Sequence, residues 1–272
     1  MFLKVIFAFA VLGMASCAPQ SYKSKKMSLE KIVKKSHRSS ENKARDKYRN
    51  PEETLKFFEV EPNMTVVEVS PGKGWYTEIL GPYLKKSGTL YLTLFSDTSK
   101  RSYAAPSNKA VKKMTSNKRR FGKVVFTTLE APDQMGPVAP EGVADRVLTF
   151  RNVHSWASSG NGVKAFKTFY KALKPGGILG VVEHREPQGR KRDPKLRSGY
   201  MQEKQVIKIA KDAGFELVAK SEINANPKDS ADHVGGVWAL PPSLRNKAKN
   251  KEKYMEIGES DRMTLKFVKP KK

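Results

Sequence analysis

The run VVEVSPGKGWYTEIL, residues 66–80, places Glu68 two residues ahead of a Ser-Pro-Gly-Lys-Gly turn. The β-branched residues before the turn read as a strand and those after it as a helix. That is the layout of a nucleotide-binding turn. Gly72 and Gly74 permit positive φ and let a ligand approach the backbone closely. Ser70 stands where a further glycine would complete such a turn. Lys73 would repel a cation if it faced the ligand and would be harmless in solvent. A simple strand-to-helix turn is the competing account.

A second concentration of chemistry is Thr149-Phe150-Arg151-Asn152-Val153-His154-Ser155-Trp156, following the strand DRVLTFR. Asn152 can orient a bound group, His154 can take a proton, Trp156 can offer a face to a cation or ring, and Arg151 can contact a substrate. A satisfied structural histidine beside a capping tryptophan is the equal alternative. Glu183-His184-Arg185 supplies another acid–base group at the end of ILGVVEHR, and the late segment adds His233 and Trp238 as parts of a lid. The four histidines lie far apart in sequence and form no short-range ligand pair, so no metal site is expected.

These residues need strands to hold them. MTVVEVS, GTLYLTLFS, KVVFTTL, DRVLTFR, ILGVVEHR, FELVAKSEI and MTLKFVKP read as seven strands. Helical patterns alternate with them. WYTEILGPYLKK is interrupted or kinked at Pro82, GVKAFKTFYKAL ends at Lys-Pro-Gly-Gly, and MQEKQVIKIAKDAG is closed by Gly214. Ahead of the first strand, Asn50 caps a helix in PEETLKFFEV and a short helix spans 28–35. The alternation predicts an α/β fold with a doubly wound seven-stranded sheet. Residues 223–261 form a long insertion between the last two strands.

Fifty-two basic and 27 acidic residues give a formal charge of +25, which draws the chain to anionic surfaces. The basic residues are spread over 23–49, 109–123 and 185–197. With no aromatic-interleaved basic motif, this reads as a solvated lysine-rich surface rather than a nucleic-acid reader. The N-terminus, MFLKVIFAFAVLGMASCAPQ, has one early lysine, an apolar run from Val5 to Met14 and then small residues. The run is short for a bilayer span and has the anatomy of a signal peptide. The chain's single cysteine, Cys17, follows in the order Met-Ala-Ser-Cys, so disulfides are excluded. This order resembles a bacterial lipoprotein box, with Met14 where leucine is usual, and implies lipidation of Cys17; ordinary cleavage after Ala18, or an uncleaved anchor, is the alternative. Residues 1–17 are thus read as a signal peptide, 18–45 as a basic tether with a short helix, and 46–272 as the functional domain.

The Gly-containing turn after the first strand, Leu-Lys-Pro-Gly-Gly before the fifth, and seven strands together resemble a class I methyltransferase using S-adenosylmethionine. PGKGWYTEIL, LTFRNVHSW, ALKPGGILGVVEHR and ESDRMTLKFVKP are similar to segments of a family of predicted bacterial methyltransferases, and the likeness runs from about Arg45 to Pro270. The resemblance implies a Rossmann-like methyltransferase fold whose last strand lies antiparallel between the fifth and sixth. It implies that Glu68, Ser70, Gly72 and Gly74 bind the cofactor, the acid meeting the ammonium of its methionyl part. It further implies that Asp97 grips the ribose and that Asp133, or Glu130, approaches the adenine. His154 and Asn152 would be catalytic; Arg151, Trp156, Glu183, His184, His233 and Trp238 would line the acceptor site.

The expected activity is methyl transfer to a small molecule or envelope component by a membrane-tethered protein on the periplasmic side. Export conflicts with a charged cofactor made in the cytosol. A non-catalytic envelope lipoprotein on the same fold is the alternative, and a protein binding anionic polymers by charge alone is a third.

Overall fold

The computed structural model describes residues 28–190, 193, 195–245 and 250–271. The signal segment and Cys17 lie outside the described residues.

Eight strands form one sheet in the order β4-β3-β2-β1-β5-β6-β8-β7. They are β1 (Thr65–Val69), β2 (Thr89–Leu94), β3 (Val124–Glu130), β4 (Gln134–Met135), β5 (Ala144–Phe150), β6 (Leu173–His184), β7 (Glu216–Ser221) and β8 (Arg262–Val268). The five strands from β3 through β2, β1 and β5 to β6 are parallel, and β8 is antiparallel to both β6 and β7. The insertion of the last strand between its two predecessors is therefore as expected. The eighth strand is additional: the two-residue β4 folds back on β3, too short a pairing to leave a period-two pattern.

Strand alternation sends neighbours to opposite layers. Val67 and Val69 of β1 join one buried cluster with α9 (Gly162–Ala172) and α10 (Glu203–Asp212). Val66 joins the other, with α1 (Leu29–Val33), α4 (Pro51–Phe57) and α5 (Thr77–Leu84). Both faces are covered, which is why the parallel strands read as continuous apolar runs.

Two local readings change. Pro82 neither ends nor breaks α5. A proline at this position frees the carbonyl four residues earlier, and that carbonyl, on Glu78, accepts from the His37 ring at 2.7 Å. Asn50 does precede α4, but in a left-handed conformation with φ 37°, and its side chain donates to the Ile223 carbonyl at 2.6 Å instead of capping the helix. α9 ends ahead of Lys-Pro-Gly-Gly as expected, and that run opens β6, where the register with β5 shifts past it.

The segment read as the end of a tether is packed onto the domain from Ser28 onward. Arg38 is buried, forks onto Asp46 at 2.7 Å and pairs with Glu78 of α5 at 2.7 Å. α2 (Ser40–Lys43) and α3 (Asp46–Arg49) follow it over the carboxyl ends of the strands. The long late segment carries a 3-10 turn at Gly236–Ala239 and α11 (Lys251–Ile257). Among the described residues no helix is long and apolar enough to cross a membrane.

Candidate functional site

The sheet order reverses between β1 and β5, and a crevice outside the carboxyl ends of the strands is where such sheets bind ligands. A cavity of about 500 Å³ lies there. Its floor is Ser70 and Gly72 after β1, Phe95 after β2, Glu130 of β3, Asn152 after β5 and His184 of β6. A smaller cavity of about 110 Å³ adjoins it at the glycine turn, between Glu68, Trp75, Tyr76 and Arg151.

The turn keeps the backbone that glycines would give. Ser70, Gly72 and Gly74 have φ of 49°, 60° and 86°. Ser70 holds this sparsely allowed conformation because its N–H donates to Thr93 Oγ1 at 2.9 Å, anchoring it to β2. A Cβ on Gly72 would meet nothing within 4 Å, so that edge of the turn is open. Lys73 is exposed and lines neither cavity. Glu68 is buried and accepts from Thr77 Oγ1 at 2.7 Å. Burial pushes its carboxyl up to about 8, against the opposing pull of Thr77 and Arg151, so it is mostly protonated at neutral pH.

The β5 exit is stitched to β1. The Asn152 amide donates to the Val69 carbonyl at 3.1 Å and to Thr149 Oγ1 at 3.2 Å. Its nitrogen is thus spent on the scaffold, leaving its oxygen as the group it can offer the cavity. α8 (Val153–Ser158) starts here and carries His154 and Trp156. His154 faces the cavity with Glu183 behind it. The Glu183 carboxylate accepts from the backbone N–H groups of His154, at 3.2 Å, and His184, at 2.8 Å. It also faces His154 Nδ1 at 3.0 Å, which makes that nitrogen the donor and leaves Nε2 to accept a proton.

His184 sits beside it, with ring centroids 5.6 Å apart and Nδ1 2.6 Å from Ser260 Oγ. Burial, then His154 and the guanidiniums of Arg262, Arg151 and Arg49, push its pKa well below the ordinary value, so it is neutral. Histidines 30 positions apart in sequence are thus neighbours in space, which their sequence spacing does not show. His154, Glu183 and His184 offer ligand atoms within 4.8 Å of one another, the one such group found among the described residues. The carboxylate is already occupied by three N–H groups, and the surrounding guanidiniums oppose a dication.

Trp238 forms the roof, 6.0 Å from the His154 ring and edge-on to it, with the Arg245 guanidinium 4.7 Å over its own ring. Trp156 is mostly buried against Phe169 and contributes only part of the wall.

Three residues singled out from sequence are elsewhere. Asp97 and Asp133 are exposed and line neither cavity. Their place is taken by Glu130, which accepts from the Ser96 N–H at 2.9 Å and from Ser99 Oγ and so joins the ends of β2 and β3. His233 is buried behind the roof, bonded to Asp229 at 2.8 Å and packed on Tyr254.

What sequence reasoning missed, Arg151 apart, is a set of arginines. Arg45, Arg49, Arg101, Arg151, Arg245 and Arg262 all line the larger cavity. Arg45 and Arg49 reach Glu259 at 2.6 and 2.9 Å, and Arg262 pairs with the same carboxylate. Burial alone would push Glu259 up, but Arg262, Arg49, Arg45 and Arg151 outweigh it and hold the carboxyl well below its usual range. The readable signal was Glu-Ser-Asp-Arg before β8, a dense polar run entering an apolar strand.

No protein-family model matches the chain, and no curated protein matches it. Solved structures do. A methyltransferase dependent on S-adenosylmethionine from Aquifex aeolicus aligns at TM-score 0.54 and 20% identity, over 90% of this chain and all of its own. The [4+2]-cyclase SpnF aligns at TM-score 0.53 and 16% identity, over 82% of this chain and 81% of its own. Phosphoethanolamine N-methyltransferase 2 of Haemonchus contortus, solved with S-adenosylmethionine, aligns at 0.52 and 15%, over 82% of this chain and 53% of its own. The chain therefore has the Rossmann-like fold seen in S-adenosylmethionine-dependent methyltransferases. A cyclase shares that fold, so the reaction has to be argued from the site.

Proposed function

We propose that this chain is an S-adenosylmethionine-dependent methyltransferase, exported and tethered through Cys17, acting on a small molecule or envelope component. The observation carrying the proposal is the turn Ser70–Gly74. It has three positive-φ residues beside a buried acid and opens into a cavity at the switch point of the sheet. The backbone at Gly72 would admit the cofactor, Arg49 and Arg151 would face its carboxylate, and Glu130 its ribose hydroxyls. When bound, the cofactor supplies an electrophilic methyl group. The protein's part is alignment and exclusion of water. Trp238 covers the cavity, Glu183 fixes the His154 ring, and Nε2 takes a proton where the acceptor must lose one.

The test is titration of the purified full chain with S-adenosylmethionine and S-adenosylhomocysteine. Saturable micromolar binding is expected, at least about tenfold weaker in Gly72→Val, whose β-branched side chain opposes φ 60°. Folded protein that binds neither compound would sink the proposal. The arginines favour one rival, a non-catalytic lipoprotein binding an anion; it predicts anion binding without cofactor binding.

A further inference from the structure

Six arginines on the cavity wall face two carboxylates, Glu130 and Glu259, and with His184 neutral the surplus is four positive charges on the wall, three once the Glu183 carboxylate behind His154 is counted. Glu259 is already shared by three of the guanidiniums. Glu130 is occupied by Ser96 and Ser99 and lies 3.4 Å from Arg101. Among the described residues the Arg151 side chain has no hydrogen-bond or ion-pair partner, and that of Arg245 has only the face of Trp238. Arg262 is 2% exposed, yet its buried Nε has no hydrogen-bond partner. Leaving the buried Arg262 donor unmet is costly, and no described residue meets it or the Arg151 guanidinium.

The cofactor cannot balance this charge. It carries one carboxylate against a sulfonium and an ammonium, so it adds positive charge. The wall is also divided. Arg49 and Arg151 reach the small cavity at the glycine turn, whereas Arg245 and Arg262 line only the larger one, with His154, His184 and Ser260.

We infer that the methyl acceptor is an anion, a small molecule whose carboxylate or phosphate group is held by Arg245 and Arg262 beside His154. This rests on reading the cavity as a methyltransferase site. In the reaction an acceptor lone pair forms the new bond to the methyl carbon as the carbon–sulfur bond breaks. That electron pair stays on sulfur, giving a neutral thioether, and the acceptor's proton, where it has one, passes to His154 Nε2. Burying the anion beside the sulfonium draws the two reactants together and offsets the arginine field.

The experiment titrates the full chain at fixed ionic strength with inorganic pyrophosphate, inorganic phosphate and citrate, with and without saturating S-adenosylhomocysteine. Tryptophan fluorescence and calorimetry provide the readouts. One of the anions should bind saturably, equally well with S-adenosylhomocysteine present. Binding should weaken about tenfold in Arg245→Gln, the loss of one charged hydrogen bond. Pyrophosphate against citrate separates a phosphate from a carboxylate acceptor. Arg245 is exposed, so its replacement leaves the fold intact. Arg119→Gln, on the surface of α7 (Lys118–Phe121), removes the same charge far from the cavity and should change affinity by about twofold at most. An equal loss in Arg119→Gln would mean a diffuse field and would overturn the inference. Displacement of the anion by S-adenosylhomocysteine would assign the arginines to the cofactor's carboxylate and also overturn it. Anion binding without any S-adenosylhomocysteine binding would remove both the methyltransferase reading and the acceptor role. S-adenosylhomocysteine binding with no anion binding would overturn the inference alone.

Discussion

Glu68 is an acid that burial keeps protonated. Its folded pKa of about 8 lies above the ordinary 4.5, so the folded state holds a proton that the unfolded chain releases. Its contribution to stability is therefore complete below about pH 4.5 and is lost as pH rises through about 8. Glu68→Gln, which keeps the shape and cannot ionise, should flatten that part of the pH–stability curve. Urea titrations from pH 4 to 9 would reveal the change, and an unchanged slope would show that Glu68 is ionised in the folded protein. Ser70 and Lys73, the two departures from a glycine turn, have different outcomes. Ser70 adopts the glycine conformation at a local cost, while Lys73 simply points to water.

At the scale of elements, Glu259 is the joint between the N-terminal helices and the last strand. Its two oxygens hold Arg45 and Arg49, at and within α3, and Arg262 at the start of β8. Glu259→Gln would leave three clustered guanidiniums without their counter-charge, and such a loss costs about 3–5 kcal/mol. A thermal melt should show a fall in Tm accordingly. The wild type should show the same weakness in acid, because a depressed carboxyl contributes stability above its unfolded pKa and loses it as pH falls. A Glu259→Gln melt indistinguishable from wild type would show that the arginines repel one another less than their burial implies. The docking of His37 on the carbonyl freed by Pro82 complements this joint: it ties residues 28–50 to α5, as Glu259 ties them to β8.

Over the whole molecule, the charge of +25 has two components that composition cannot separate. Most lysines are solvated, whereas six arginines converge on one cavity. Tethering is argued at this scale too. Growth with a palmitate analogue should label the wild-type protein and leave Cys17→Ala unlabelled. Label retained in the variant would remove the lipoprotein reading.

By itself the sequence determined the α/β alternation, because strands buried on both faces must be continuous and apolar and the helices between them must be amphipathic. It also determined the glycine turn and the strand-end positions of Asn152, His154 and His184, since motif spacing and strand ends are local properties. Three things were decided only in the tertiary structure. Glu183 orients His154, because β5 and β6 are neighbours. Asp97 and Asp133 turn outward while Glu130 turns in, because an irregular loop's side-chain direction is not periodic. The arginines meet because α3, the β5 exit, the roof and β8 converge on one end of the sheet, from positions 45 to 262. Periodicity reports neighbours along the chain, and a binding site is made of neighbours across it.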